Sequence, residues 1–131
     1  MSKSELISQK NRLMSQKSDL LAENQKLEME IDQLEIALNE CKDAKTNFND
    51  HQKLINNIKI SDNQWAGKYR NKNDDFINEF NNQLGNIDDD LIEGINAIVK
   101  AIETRKSMLN SNLSDIGSLN RSINSINQKL N

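Results

Sequence analysis

Five leucines stand seven residues apart at Leu6, Leu13, Leu20, Leu27 and Leu34, and Cys41, Phe48 and Ile55 continue the row. A repeat of seven returns a side chain to nearly the same side of an α-helix after two turns. A row this long is therefore one strip of a helix shaped to lie against another helix. No proline interrupts it or any other part of the 131 residues, and only Gly67, Gly85, Gly94 and Gly117 offer the backbone a cheap break. Long helices are the fold element that this pattern allows.

The row's companion is less regular. The positions that would complete a two-row seam early in the chain are Lys10, Lys17 and Asn24, while the second apolar residue stands directly beside the first, as Ile7, Met14 and Leu21. From Leu27 a regular alternation appears in Leu27, Ile31, Leu34, Leu38 and Cys41. The apolar stripe is read here as swinging round the helix, as in a bundle rather than a straight two-stranded zipper. Ser2 or Ser4, with Glu5 nearby, supplies the cap, and the pattern thins through Lys45, Thr46 and Asn47.

The second half repeats the theme. Tyr69, Phe76, Phe80, Leu84, Ile87, Leu91, Ile95, Ile98 and Ile102 advance mostly by three or four, and Leu109, Leu113, Ile116, Leu119, Ile123, Ile126 and Leu130 follow. Ile77, Ile92, Val99 and Met108 widen the stripe beyond one partner's reach. Between the halves, Ser61, Asp62 and Asn63 carry turn-forming and capping side chains ahead of Trp65-Ala66-Gly67. The expected fold is all-α: a single domain, residues 1–131, with a helix over about 3–58, a turn over about 59–63 and a helix over about 64–129. The two arms form a long antiparallel, coiled-coil-like hairpin that completes a four-helix bundle by dimerisation or with a partner. With the turn centred near residue 62, facing residues carry numbers adding to about 124, which sets Leu34 beside Asp90 and Leu91, and Phe48 beside Phe76.

A hairpin core is expected from Ile31, Leu34, Leu38, Phe48 and Ile55 on the first arm and Phe76, Phe80, Leu84, Ile87, Leu91, Ile95 and Ile98 on the second. An uncovered stripe of Leu6, Leu13, Leu20, Leu27, Ile116, Ile123 and Ile126 is expected to bind a partner. Leaving such a stripe wet forgoes about 1.5–3 kcal/mol per side chain, which favours a second hairpin against it.

Chemistry is sparse. The net charge of −3, with basic and acidic residues interleaved, excludes a phosphate-binding stripe and with it nucleic acid. No run of apolar residues is long enough to insert in a membrane, and the chain enters amphipathic sequence directly, without the apolar core of a secretory signal. Cytoplasmic synthesis is the expectation. Cys41 continues the leucine row and reads as a small hydrophobe, His51 stands without ligand partners, and Asp88-Asp89-Asp90 point about 100° apart on a helix and read as solvated. The 21 asparagines read as a bias carried on solvent-facing positions. No catalytic, cofactor or metal residue is identified, and an enzyme is not expected.

The central Trp65-Ala66-Gly67 between two proline-free amphipathic arms resembles the WXG superfamily of type VII secretion, and the long heptad-rich arms resemble its YwqH-like branch. Members of the superfamily are small helical hairpins with Trp-x-Gly between the helices. The resemblance makes Trp65 and Gly67 the turn motif. It implies a non-enzymatic adaptor, chaperone or targeting factor for the helical N-terminal domain of an LXG toxin, alone or with a second small WXG-like protein. Asn73 stands where members carry an aromatic eight residues after the Trp, and residues 123–131 lack the aromatic-to-acid secretion motif. Those departures shift the implied role from carrier of an export signal to companion of one, in the cytoplasm or exported with its partner. The alternative from a different class is a homodimeric coiled-coil scaffold or spacer unrelated to secretion, which needs no special hinge.

Overall fold

The structure is a computed structural model that describes residues 1–56 and 68–131, with the side chains of 55, 56, 68–71 and 73 outside the description. It consists of two helices, α1 (Lys3–Asn56) and α2 (Lys68–Leu130), and no strand among the described residues. The turn expected at 59–63, the helix ends expected at 58 and 64, and Trp65 and Gly67 lie outside the described residues, as does the side chain of Ile55.

Ser2 caps α1. Its Oγ accepts from the Glu5 amide at 3.1 Å, and Glu5 Oε2 accepts from the Ser2 amide at 2.9 Å, so cap and third helical residue satisfy each other reciprocally. The helix then runs without a break through Lys45, Thr46 and Asn47. Thr46 Oγ1 donates to the Lys42 carbonyl at 3.1 Å, the local bond by which a threonine is accommodated inside a helix.

The chain divides into two units: residues 1–35 with 100–131, and residues 36–99. In the first, α1 and α2 run antiparallel, as shown by Asn112 Nδ2 donating to Asn24 Oδ1 at 3.0 Å and Arg105 Nε to Glu30 Oε2 at 2.9 Å. In the second, Lys45 Nζ meets Asp88 Oδ1 at 3.1 Å. Residue numbers in these three pairs add to between 133 and 136, not to about 124. The expected register was therefore short by about ten residues, close to three helical turns. It came from centring the turn on Asp62, whereas polar pairs within the arms set the observed alignment. Leu34 consequently lies opposite the part of α2 near Ala101 rather than Asp90 and Leu91.

Among the covered positions, those at heptad spacing form a seam on each helix. On α1 they are Leu6, Lys10, Leu13, Lys17, Leu20, Asn24, Leu27, Ile31, Leu34 and Leu38, continuing through Cys41, Lys45 and Phe48. On α2 they are Asn81, Leu84, Asp88, Leu91, Ile95, Ile98, Ile102, Arg105, Leu109 and Asn112, then Ile116, Leu119, Ile123, Ile126 and Leu130. The stripe does not swing round α1 as expected. Along α2 both rows are largely apolar, so α2 fixes the seam, and α1 answers with what it has at those positions. Lys10 and Lys17 are half-buried there, their aliphatic stems covering apolar surface while the ammonium groups reach water.

Burial is uneven between the units. Among the described apolar residues, Leu6, Leu27, Ile31, Ile102, Ile116, Ile123 and Ile126 are buried in the first, and Leu84 in the second. Of the expected core, Ile31 and Leu84 are buried, and Leu34, Leu38, Phe48, Leu91, Ile95 and Ile98 are half-buried. Phe76, Phe80 and Ile87 are exposed, Phe76 by 67%. The reason is positional: the seam passes through Asn81, Leu84 and Asp88, which leaves these three on its flank. The rings of Phe76 and Phe80 stack on each other there, with centroids 6.3 Å apart.

Candidate functional site

The polar side chains in the seam are positioned first, because they decide which faces remain open. Asn24 is only 5% exposed, and its amide oxygen is satisfied by Asn112 across the interface. A buried asparagine pair tolerates few alternative alignments, since a slip by one heptad sets Asn24 against Leu119 and Asn112 against Ile31 in one direction, or Asn24 against Arg105 and Asn112 against Lys17 in the other, and neither restores the amide pair. Arg105 adds a bond from Nη1 to the Ala101 carbonyl at 3.2 Å, which anchors the guanidinium while Nε holds Glu30. Lys106 reaches Glu35 at 3.6 Å on the more exposed flank.

In the second unit Asn49 joins Lys45 and Asp88. With its amide oriented by those neighbours, it accepts from Lys45 Nζ at 3.2 Å and donates to Asp88 Oδ1 at 3.3 Å. Asp88 thus faces the seam, while Asp89 and Asp90 are exposed. Among the described residues no group of three His, Cys, Asp or Glu side chains could hold a metal ion. Cys41 is a free, half-buried thiol, and His51 is exposed with Nδ1 2.6 Å from the Asn47 carbonyl. Asn81 Oδ1 is buried and finds no partner among the described residues.

The stripe expected to bind a partner is covered instead by the chain itself. Leu6, Leu27, Ile116, Ile123 and Ile126 are buried between the helices of the first unit, and Leu13 and Leu20 are half-buried there. Their regular spacing made them the internal seam, which is the use a heptad row most readily finds when its own chain supplies the second helix. Among the apolar residues left open in the first unit are those directly beside the row. Ile7, Met14 and Leu21 follow Leu6, Leu13 and Leu20 by one position, and Leu113 holds the corresponding place on α2. These four side chains are 42–54% exposed. In an antiparallel pair such positions share one flank, and the Glu35–Lys106 contact joins the same two rows farther along. The sequence already contained this signal, in the doublets Leu6-Ile7, Leu13-Met14 and Leu20-Leu21.

The opposite flank of the first unit differs. An open groove of about 520 Å³ is lined there by Gln16, Asp19, Leu20, Glu23, Asp115, Ser118, Leu119 and Ser122.

Residues 8–131 match the family model described as YwqH-like. The chain belongs to the YwqH-like family. No curated protein and no solved structure matches it. For this YwqH-like chain the fold is two long packed helices, and among the described residues no helix is long and apolar enough to cross a membrane.

Proposed function

We propose that this YwqH-like protein is a non-enzymatic helical adaptor of the WXG superfamily. It binds the helical N-terminal domain of an LXG-type toxin and accompanies it to type VII secretion from the cytoplasm. The observation that carries the reading is the row Ile7, Met14 and Leu21 with Leu113. It is an apolar strip on one flank of a unit whose seam is already filled, and so is available to a third and fourth helix. Family membership supports the reading because the YwqH-like resemblance brings the toxin partner with it.

The strip alone does not make a tight complex. Burying the half of each side chain still exposed contributes about 3–6 kcal/mol over the four residues, against an association cost of at least about 4 kcal/mol. The partner must therefore add its own apolar helix face, as an all-helical domain does.

Titration calorimetry of the full chain against the helical N-terminal domain of an LXG toxin encoded beside it tests the proposal. Binding is expected, and Ile7→Glu with Leu21→Glu is expected to abolish it without loss of helicity. Undiminished binding by that variant refutes the stripe. A chain that self-associates through the same strip and ignores the toxin domain favours the scaffold or spacer reading instead.

A further inference from the structure

The flank opposite the apolar strip carries a different chemistry. Leu20 and Leu119 belong to the seam of the first unit but are only half-buried, because Ser118 and Ser122 are too short to cover them. A groove of about 520 Å³ results, large enough to seat side chains from another helix. Its rim holds three carboxylates, Asp19 and Glu23 from α1 and Asp115 from α2, and no lysine or arginine is among the lining residues. One cation stands close by: Arg121 Nη2 donates to Ser118 Oγ at 2.9 Å. Among the described residues none of the three carboxylates is ion-paired across the seam, in contrast to Glu30, Glu35 and Asp88.

An apolar floor edged by uncompensated negative charge is complementary to one kind of surface. We infer that this groove docks an amphipathic helix whose apolar knob is flanked one turn away by lysine or arginine. The knob enters between Leu20 and Leu119, and the flanking cations, spaced three or four residues from it, reach Asp19 and Glu23 on one side and Asp115 on the other. The inference stands apart from the proposed toxin-binding strip, which is on the other flank, where Glu35 is paired with Lys106. Complementary rim charges act mainly on partner choice and on the rate of encounter, so the groove selects among helices that the apolar floor alone would accept equally.

Two synthetic helical peptides with the same leucine face, one flanked by lysines and one by glutamates, test this against the full chain. Fluorescence anisotropy reads affinity and methyl NMR reads location. The lysine-flanked helix is expected to bind at least about tenfold more tightly than its glutamate counterpart and to shift the Leu20 and Leu119 methyls, with the preference shrinking as salt is raised. Asp19→Asn with Glu23→Gln and Asp115→Asn should erase the preference. Arg121→Gln should strengthen lysine-helix binding, and Ser118→Leu should weaken both peptides by filling the groove. Thermal melts by circular dichroism confirm that each variant is folded. Equal binding of the two peptides, no binding, shifts confined to the Ile7 and Leu21 methyls, or a preference that survives the triple neutralisation would each overturn the inference.

Discussion

Asn24 and Asn112 form the contact whose removal has the most specific consequence. Their amides meet at 3.0 Å, and Asn24 is 5% exposed, so little water can replace a lost partner there. The hydrogen bond contributes about 0.5–1.5 kcal/mol net, while stranding the buried Asn24 amide costs about 1–3 kcal/mol. Asn112→Ala therefore destabilises by about 1–3 kcal/mol, and the Asn24→Ala, Asn112→Ala double variant by less than the sum of the singles, with a coupling of about 0.5–1.5 kcal/mol. Replacing both by leucine has the opposite sign. Burial of one well-covered and one half-buried leucine stabilises by about 2–4 kcal/mol, yet it removes the pair of facing amides that penalises a slipped alignment. Urea unfolding followed by circular dichroism supplies the cycle, and light scattering with NMR line shapes reports whether the Leu/Leu variant keeps one state. Additive alanine effects, or a Leu/Leu variant as uniform as the parent, would show that the asparagines do not set the register.

Two further outcomes follow from single positions. At Gly85 and Gly94 a Cβ would meet nothing within 4 Å, so Gly94→Ala is expected to stabilise by about 0.5–1 kcal/mol and Gly85→Ala by a similar amount, read as a higher urea midpoint; a loss of stability at either would reveal a close approach that the chain alone does not make. Ser2→Ala removes the cap on the Glu5 amide and should weaken the first turn of α1 by about 0.5–2 kcal/mol, visible as faster amide exchange there while the exchange of the Leu27–Ile31 turn is unchanged.

Much of the fold could be read from periodicity, whereas the register and the open face could not. The absence of proline and the two long apolar series led directly to two helices, and Lys45–Asn47 remained helical because a locally polar stretch costs little once both sides are packed. The register differs because polar pairs within the arms set it and a turn centred on Asp62 does not anticipate them, and the open face differs because apolar residues alone do not mark the seam. A helix pair keeps a seam of fixed period and fills it with lysine stems or asparagine amides where leucine is lacking. Composition reads asparagine as a bias on solvent-facing positions, yet Asn24 is buried and Asn49, Asn81 and Asn112 lie partly within the packed region. Once the seam is drawn at a strict 3.5-residue repeat, Phe76, Phe80 and Ile87 fall outside it, and Ile7, Met14 and Leu21 are left as the strip without a partner. The doublets were visible throughout; choosing which member faces inward required knowing what α2 presents.

The central claim is that this strip, and not the leucine row, receives a partner's helices. Light scattering of the full chain mixed with the helical N-terminal domain of an LXG toxin is the test, comparing the parent with an Ile7→Glu, Met14→Glu, Leu21→Glu variant. A discrete complex is expected for the parent, and for the variant two separate species with an unchanged helical spectrum. A complex of the same mass with the variant would contradict the claim.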